Sequence, residues 1–131
     1  NGSSGEGWHR DSFLNQYKTI LYLTDVNTNS GPFQIIPKSH KLINILKLML
    51  FGDLDYLQTR YSNNEINKFQ KLFKSKTITI TAKAGTLIIF NSSTIHRGKP
   101  IKKGERLALT NYYFPFSRAY KKLVKKFKPI V

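Results

Sequence analysis

The strongest constraint on what this chain can fold into is its punctuation: short runs rich in Ile, Thr, Tyr and Phe alternate with clusters of Asn, Ser, Gly and Pro. Tyr17 to Val26 reads as a strand, Asn27 to Pro32 as a turn, and Phe33 to Ile36 as a short strand stopped by Pro37. Further along, Thr77 to Thr81 alternates Thr with Ile, the pattern of a half-buried strand, and Thr86 to Phe90 is continuously apolar. Thr94 to Arg97 is short, Lys99 to Gly104 is a basic turn, and Arg106 to Phe114 closes the series. Two helical patterns interrupt the strands. Leu42, Ile45, Leu46 and Met49 are spaced for one face, and Ile66, Phe69, Leu72 and Phe73 repeat the spacing. Residues 42–76 are therefore expected to form a helical insert whose apolar faces cover a sheet, and Tyr120, Leu123, Val124 and Phe127 suit a C-terminal helix. Many short strands interrupted once predict a β-sandwich or jelly roll, and 131 residues fit one domain.

The chain has no cysteine, which excludes disulfides, thiolate metal sites and cysteine nucleophiles; any metal must be held by His, Asp or Glu. No apolar run approaches the roughly 20 residues of a membrane span, and Asn44 and Lys47 break the one at Leu42 to Phe51. A cytoplasmic location is the expectation. The first residue is Asn rather than Met, so the sequence reads as a piece of a longer chain or a processed one, and residues 1–7 as either a flexible native loop or residues foreign to the protein. The net charge of +15 fits an anionic partner or, more simply, a lysine-rich solvated surface.

Three histidines narrow the search for chemistry. In an extended segment, residues two apart point to the same face, so His9 and Asp11 in Trp8-His9-Arg10-Asp11 project together. One imidazole beside one carboxylate is two-thirds of the facial triad that binds non-haem Fe(II). On its own the pair is more often a His–Asp hydrogen bond. The third ligand must come from a distant histidine. His40 lies in the loop Pro37-Lys38-Ser39-His40-Lys41, whereas His96 follows an apolar strand and a tight turn, so His96 is the choice. Arg106 sits ten residues beyond it, after the basic turn, where a hairpin would bring it into the same cavity. An inward guanidinium needs a partner, and its planar fork suits a carboxylate: either an Asp or Glu of the protein, or a bound dicarboxylate.

These pieces in this order (Trp8 to Asp11, the strand from Lys18, Asn29 to Phe33, Ile36 to Lys41, Gly85 to Phe90, His96 and Arg106) resemble the phytanoyl-CoA dioxygenase family over nearly the whole chain. The resemblance implies a mainly β, double-stranded β-helix fold, jelly-roll or cupin-like, lacking the usual N-terminal part of the domain. It implies Fe(II), 2-oxoglutarate and O2, with His9, Asp11 and His96 as ligands and Arg106 on the far carboxylate of 2-oxoglutarate. His40 matches a position that is not a ligand. Members often carry Ser or Thr two residues after the distal His; here that position is Gly98. Thr110, which shares strand parity with Arg106, or Thr19 is then expected to assist, and Tyr22 to line the cavity. Trp8 or Arg10 would orient the ligands. Related halogenases replace the carboxylate ligand with a small residue, and Asp11 argues against that chemistry. The expected function is hydroxylation of a small organic substrate, which the charge suggests is anionic. The competing readings are a degenerate or truncated family member with a structural role only, a nucleic-acid oxygenase, and a basic β-barrel that binds nucleic acid without catalysis. Against the latter, most aromatics sit in apolar runs while the basic residues cluster in turns and at the C-terminus.

Overall fold

The computed structural model describes residues 7–52, 55 and 57–114. The expected C-terminal helix lies outside these residues, as does most of the segment before Trp8. Ten elements follow in the order β1 (Trp8–His9), β2 (Tyr17–Tyr22), β3 (Phe33–Ile35), α1 (Leu42–Phe51), β4 (Arg60–Tyr61), α2 (Asn63–Phe73), β5 (Ile78–Ile80), β6 (Leu87–Asn91), β7 (His96–Gly98) and β8 (Ala108–Tyr113). They build two antiparallel sheets, one of five strands in the order β4-β1-β7-β3-β5 and one of three in the order β6-β2-β8. This is the mainly β jelly-roll arrangement the strand spacing predicts.

Strand alternation divides the five-stranded sheet into two chemically different faces. Phe33 and Ile35 point between the sheets, where Tyr22, Val26, Ile88 and Phe90 meet them in one core. Trp8, Ile36 and Ile95 point the other way and pack with Leu48, Tyr61, Ile66 and Phe69 in a second core beneath the helices. The helical insert thus covers a sheet, as its amphipathic spacing predicts. The buried face of α1 is centred on Ile45 and Leu48, while Leu42 and Leu46 are exposed; in α2 Ile66 and Phe69 are buried and Leu72 is exposed. The start of α2 is marked by a capping box: the Ser62 hydroxyl accepts from Glu65 N and the Glu65 carboxylate accepts from Ser62 N.

The Pro37 to Lys41 loop ties the two cores to the chemistry. Ser39 is fully buried; its hydroxyl donates to Ile36 O at 2.8 Å and accepts from Ile95 N at 2.7 Å, immediately before His96. Ser39→Ala would orphan the Ile95 N–H in a dry core. We expect a loss of about 1–3 kcal/mol in urea unfolding, the usual penalty for an unsatisfied buried donor.

The turn at Asn27 to Pro32 has a similar role at the opposite end. Asn27 Oδ1 accepts from Asn29 N and Ser30 N, and Asn29 O accepts from Lys102 N and Lys103 N. Gly31, at φ +80°, lies so close to the basic turn that a Cβ would meet Ile101 Cγ1 at 2.6 Å and Lys99 O at 2.8 Å. The contact locks the Lys99 to Gly104 turn in place and so sets where Arg106 leaves it.

No helix among the described residues is long and apolar enough to cross a membrane.

Candidate metal centre

Register places the ligands. β1 and β7 pair with His9 opposite His96, and β7 pairs with β3 with His96 opposite Ile35. The two imidazoles therefore stand side by side on the inner face, ring centroids 4.4 Å apart. Asp11 follows as β1 ends, held by Asp11 N donating to Ser92 O at 3.0 Å. One ligand atom from each of His9, Asp11 and His96 lies within 4.8 Å of the others. His40 is apart from them, its Nδ1 3.2 Å from the Thr94 hydroxyl.

The hydrogen bonds assign the tautomers. His96 Nδ1 lies 2.7 Å from Thr94 O and His9 Nδ1 lies 3.0 Å from Gly7 O. A carbonyl can only accept, so each Nδ1 carries the proton and each Nε2 presents a lone pair. The Nε2 atoms stand 3.6 Å (His9) and 3.7 Å (His96) from the Asp11 carboxylate oxygens, beyond hydrogen-bond range. His96 Nε2 is buried without any hydrogen-bond partner. An orphaned lone pair in the interior, beside a second imidazole and a carboxylate, is the donor set a divalent non-haem iron takes. The residues present fit that ion.

The orienting partners of both imidazoles are thus backbone carbonyls. Trp8 and Arg10 do not serve this way, because alternation sends them to the helix-covered face. Trp8 lies in that core under the Arg97 guanidinium, and Arg10 Nε donates to Tyr61 Oη at 2.7 Å.

Burial lowers the His96 pKa from 6.5 to about 4. The unfolded chain therefore binds this proton below about pH 6.5 while the folded, metal-free protein refuses it until about pH 4. Stability falls as pH drops through that window, and below it both states are protonated and the dependence ends. The predicted loss is about 3 kcal/mol between neutral pH and pH 4. Urea midpoints of chelator-treated protein measured across the range would show it, with a flatter profile for His96→Gln.

A cavity of about 240 Å³ runs from the cluster between the sheets, lined by His9, Lys18, Ile20, Tyr22, Phe33, His96, Gly98, Arg106, Ala108 and Thr110. Arg106 precedes β8 instead of opening it, and its Nη1 donates to Gly31 O. No carboxylate among the described residues pairs with it, which removes the ordinary salt bridge as its role there. Gly98 lies against the guanidinium: a Cβ would stand 2.6 Å from Arg106 Nη2. The missing hydroxyl at this position is thus matched by closer approach of the arginine. Thr110 and Tyr22 line the cavity as expected, although the Tyr22 hydroxyl is already engaged, accepting from Phe33 N and donating to Ile80 O. Thr19 does not. It pairs with Ile89 and Asn111 on the outer face of the three-stranded sheet, opposite in parity to Tyr22.

Sequence reasoning missed Lys18. Its side chain is 10% exposed, and its Nζ lies 3.1 Å from Asp11 Oδ2 and 4.5 Å from the centre of the Tyr112 ring. On the other side of the cluster opens a larger groove of about 850 Å³, where Leu14, Tyr112 and Phe114 supply apolar walls and Arg60 a cation.

A jelly roll with two histidines and an aspartate converging at one end of the space between its sheets presents the donor set that non-haem iron oxygenases use. The family model for phytanoyl-CoA dioxygenase (PhyH) matches residues 1–106, and the chain belongs to that family. Among solved structures it is similar to the non-heme alpha ketoglutarate dependent epimerase SnoN from nogalamycin biosynthesis, at 19% identity and a TM-score of 0.55. That alignment covers 82% of this chain and 37% of the epimerase, so the chain spans well under half the length of that relative. No curated protein matches the sequence. Family membership implies Fe(II), 2-oxoglutarate and O2 as cofactor and cosubstrates, in agreement with the sequence resemblance.

Proposed function

We propose that this chain is the catalytic core of an Fe(II)- and 2-oxoglutarate-dependent oxygenase that hydroxylates a small anionic organic substrate. The observation that carries the reading is the buried, unpartnered Nε2 of His96, facing His9 Nε2 and the Asp11 carboxylate. His9, Asp11 and His96 would hold the iron, which when bound supplies O2 activation coupled to decarboxylation of 2-oxoglutarate. In that reaction one oxygen atom of O2 enters the substrate C–H bond and the other enters succinate, with release of CO2.

The chain's own residues have distinct tasks. The carbonyls of Gly7 and Thr94 engage Nδ1 of each imidazole, which turns Nε2 of both toward the metal position. Arg106, free of any described carboxylate, holds the far carboxylate of 2-oxoglutarate, and Thr110 flanks the same cavity. The apolar Ile20, Phe33 and Ala108 keep that acid out of bulk water. Substrate occupies the larger groove on the opposite side of Asp11, where Arg60 offers a counter-charge to an anionic group.

The test is an anaerobic titration of metal-free protein with Fe(II) and then 2-oxoglutarate, following the visible charge-transfer band of the chelate. A saturable band supports the reading; no band from folded protein refutes it. Because the similar structure is an epimerase, stereoinversion is the second reading of the same site. Mass spectrometry of the product separates the two, since hydroxylation adds one oxygen and epimerisation leaves the mass unchanged.

A further inference from the structure

The cavity between the sheets holds a cation at each end. Arg106 stands at the end framed by Gly31 and Gly98, and Lys18 stands at the metal end, within 3.1 Å of Asp11. The separation follows from register. Lys18 and Tyr22 lie four residues apart on β2, roughly 13 Å along the strand, and Tyr22 pairs with Ala108, two residues past Arg106. Asp11 is the one described carboxylate near the cavity.

A lysine at this place needs a reason. Its strand neighbours on the inner face are Phe90 and Tyr112, and its side chain is almost wholly withdrawn from water. A buried ammonium is costly unless paired. Asp11 provides the pair, but a carboxylate that also ligates a divalent ion gives up part of its charge to that ion. The ammonium has three donors and the Asp11 contact uses one. A second anion arriving beside the metal would satisfy what remains, and the carboxylate of a 2-oxo acid arrives there.

We propose that Lys18 is a positioning residue for the metal-proximal carboxylate of the 2-oxo acid, the counterpart of Arg106 at the distal carboxylate. The inference rests on the oxygenase reading above. With a divalent ion bound, Lys18, Arg106 and the ion carry four positive charges against one on Asp11, and a dicarboxylate reduces the excess to one. Removing Lys18 makes the filled site neutral and takes away the ammonium donor that contacts Asp11 at the metal end.

The test uses anaerobic equilibrium binding, not turnover. Fe(II)-saturated wild type, Lys18→Met, Lys18→Arg and Arg106→Gln are titrated with 2-oxoglutarate and with 2-oxopentanoate, which lacks the distal carboxylate. The expected result is that Lys18→Met weakens both acids by the same factor, about tenfold to a hundredfold, as for loss of a hydrogen bond to a charged group. Lys18→Arg retains most of the affinity, and Arg106→Gln weakens 2-oxoglutarate alone. Unchanged affinity for both acids in folded Lys18→Met, with altered Fe(II) binding only, would make Lys18 a partner of Asp11 and nothing more, and would overturn the proposal. Weakening confined to 2-oxoglutarate would also overturn it, by moving Lys18 to the distal end. Failure of the parent reading is seen separately, as wild type that binds no Fe(II) or no 2-oxoglutarate, and the proposal falls with it.

Discussion

Replacement of His96 by alanine is expected to abolish Fe(II) binding at concentrations that saturate the wild type, and with it the 2-oxoglutarate chelate band. The reason is positional. His9 and Asp11 come from one short extended segment, and the third donor must come from β7, where register sets His96 opposite His9. No other histidine replaces it: His40 faces Thr94 from the Pro37 to Lys41 loop. Loss of an outer residue that merely orients a ligand costs tenfold to a hundredfold in metal affinity, so loss of a ligand should exceed about a hundredfold. Alanine also opens a void in a buried site, so folding is checked by circular dichroism. His96→Gln, closer in volume, should show the same metal defect in a protein that retains its fold. Retained Fe(II) binding in either variant would remove His96 from the site.

Arg106→Gln is expected to raise the dissociation constant for 2-oxoglutarate about a hundredfold while leaving Fe(II) affinity unchanged. A charge-assisted hydrogen bond contributes about 1.5–3 kcal/mol, and 2.7 kcal/mol corresponds to a hundredfold. The split between the two ligands follows from geometry. Arg106 touches Gly31 and Gly98 at the end of the cavity away from Asp11, so under the proposed function it would meet the cosubstrate and not the ion. A variant that loses both affinities equally would place Arg106 in the general support of the fold.

Much of this was legible in the residues themselves. The runs from Tyr17, Phe33, Thr77, Thr86 and Arg106 each contain a strand, the last only from Ala108, because β-branched and aromatic side chains fill a pleated, half-buried surface. His9, Asp11 and His96 converge as their spacing and strand context predicted. Other features had no such signal. β1 and β4 are two residues each and exist only by pairing with each other and β7, an effect of tertiary contact that no local pattern carries. Thr19 and Tyr22 were both expected at the cavity, yet odd and even positions of one strand face opposite ways, and Tyr22 holds the inner face. The same alternation could have found Lys18, which shares parity with Tyr22. It was hidden because a lysine in a strand ordinarily marks the solvent side. Gly98 read as a defect against the family pattern until its distance from the Arg106 guanidinium was known.

The pairing of β1 with β7 has a consequence for the whole chain. An ion shared by His9 and His96 would strap the start of the described chain to a strand near its end. The unfolded chain could keep such an ion only by closing a loop of that length, at a cost of about 4–5 kcal/mol in chain entropy, so unfolding and metal release become one event. Each tenfold rise in free Fe(II) above its dissociation constant would then add about 1.4 kcal/mol to the folded state. A chain without a single cysteine would thereby have β1 held to β7 by a strap whose tightness the surrounding iron concentration sets.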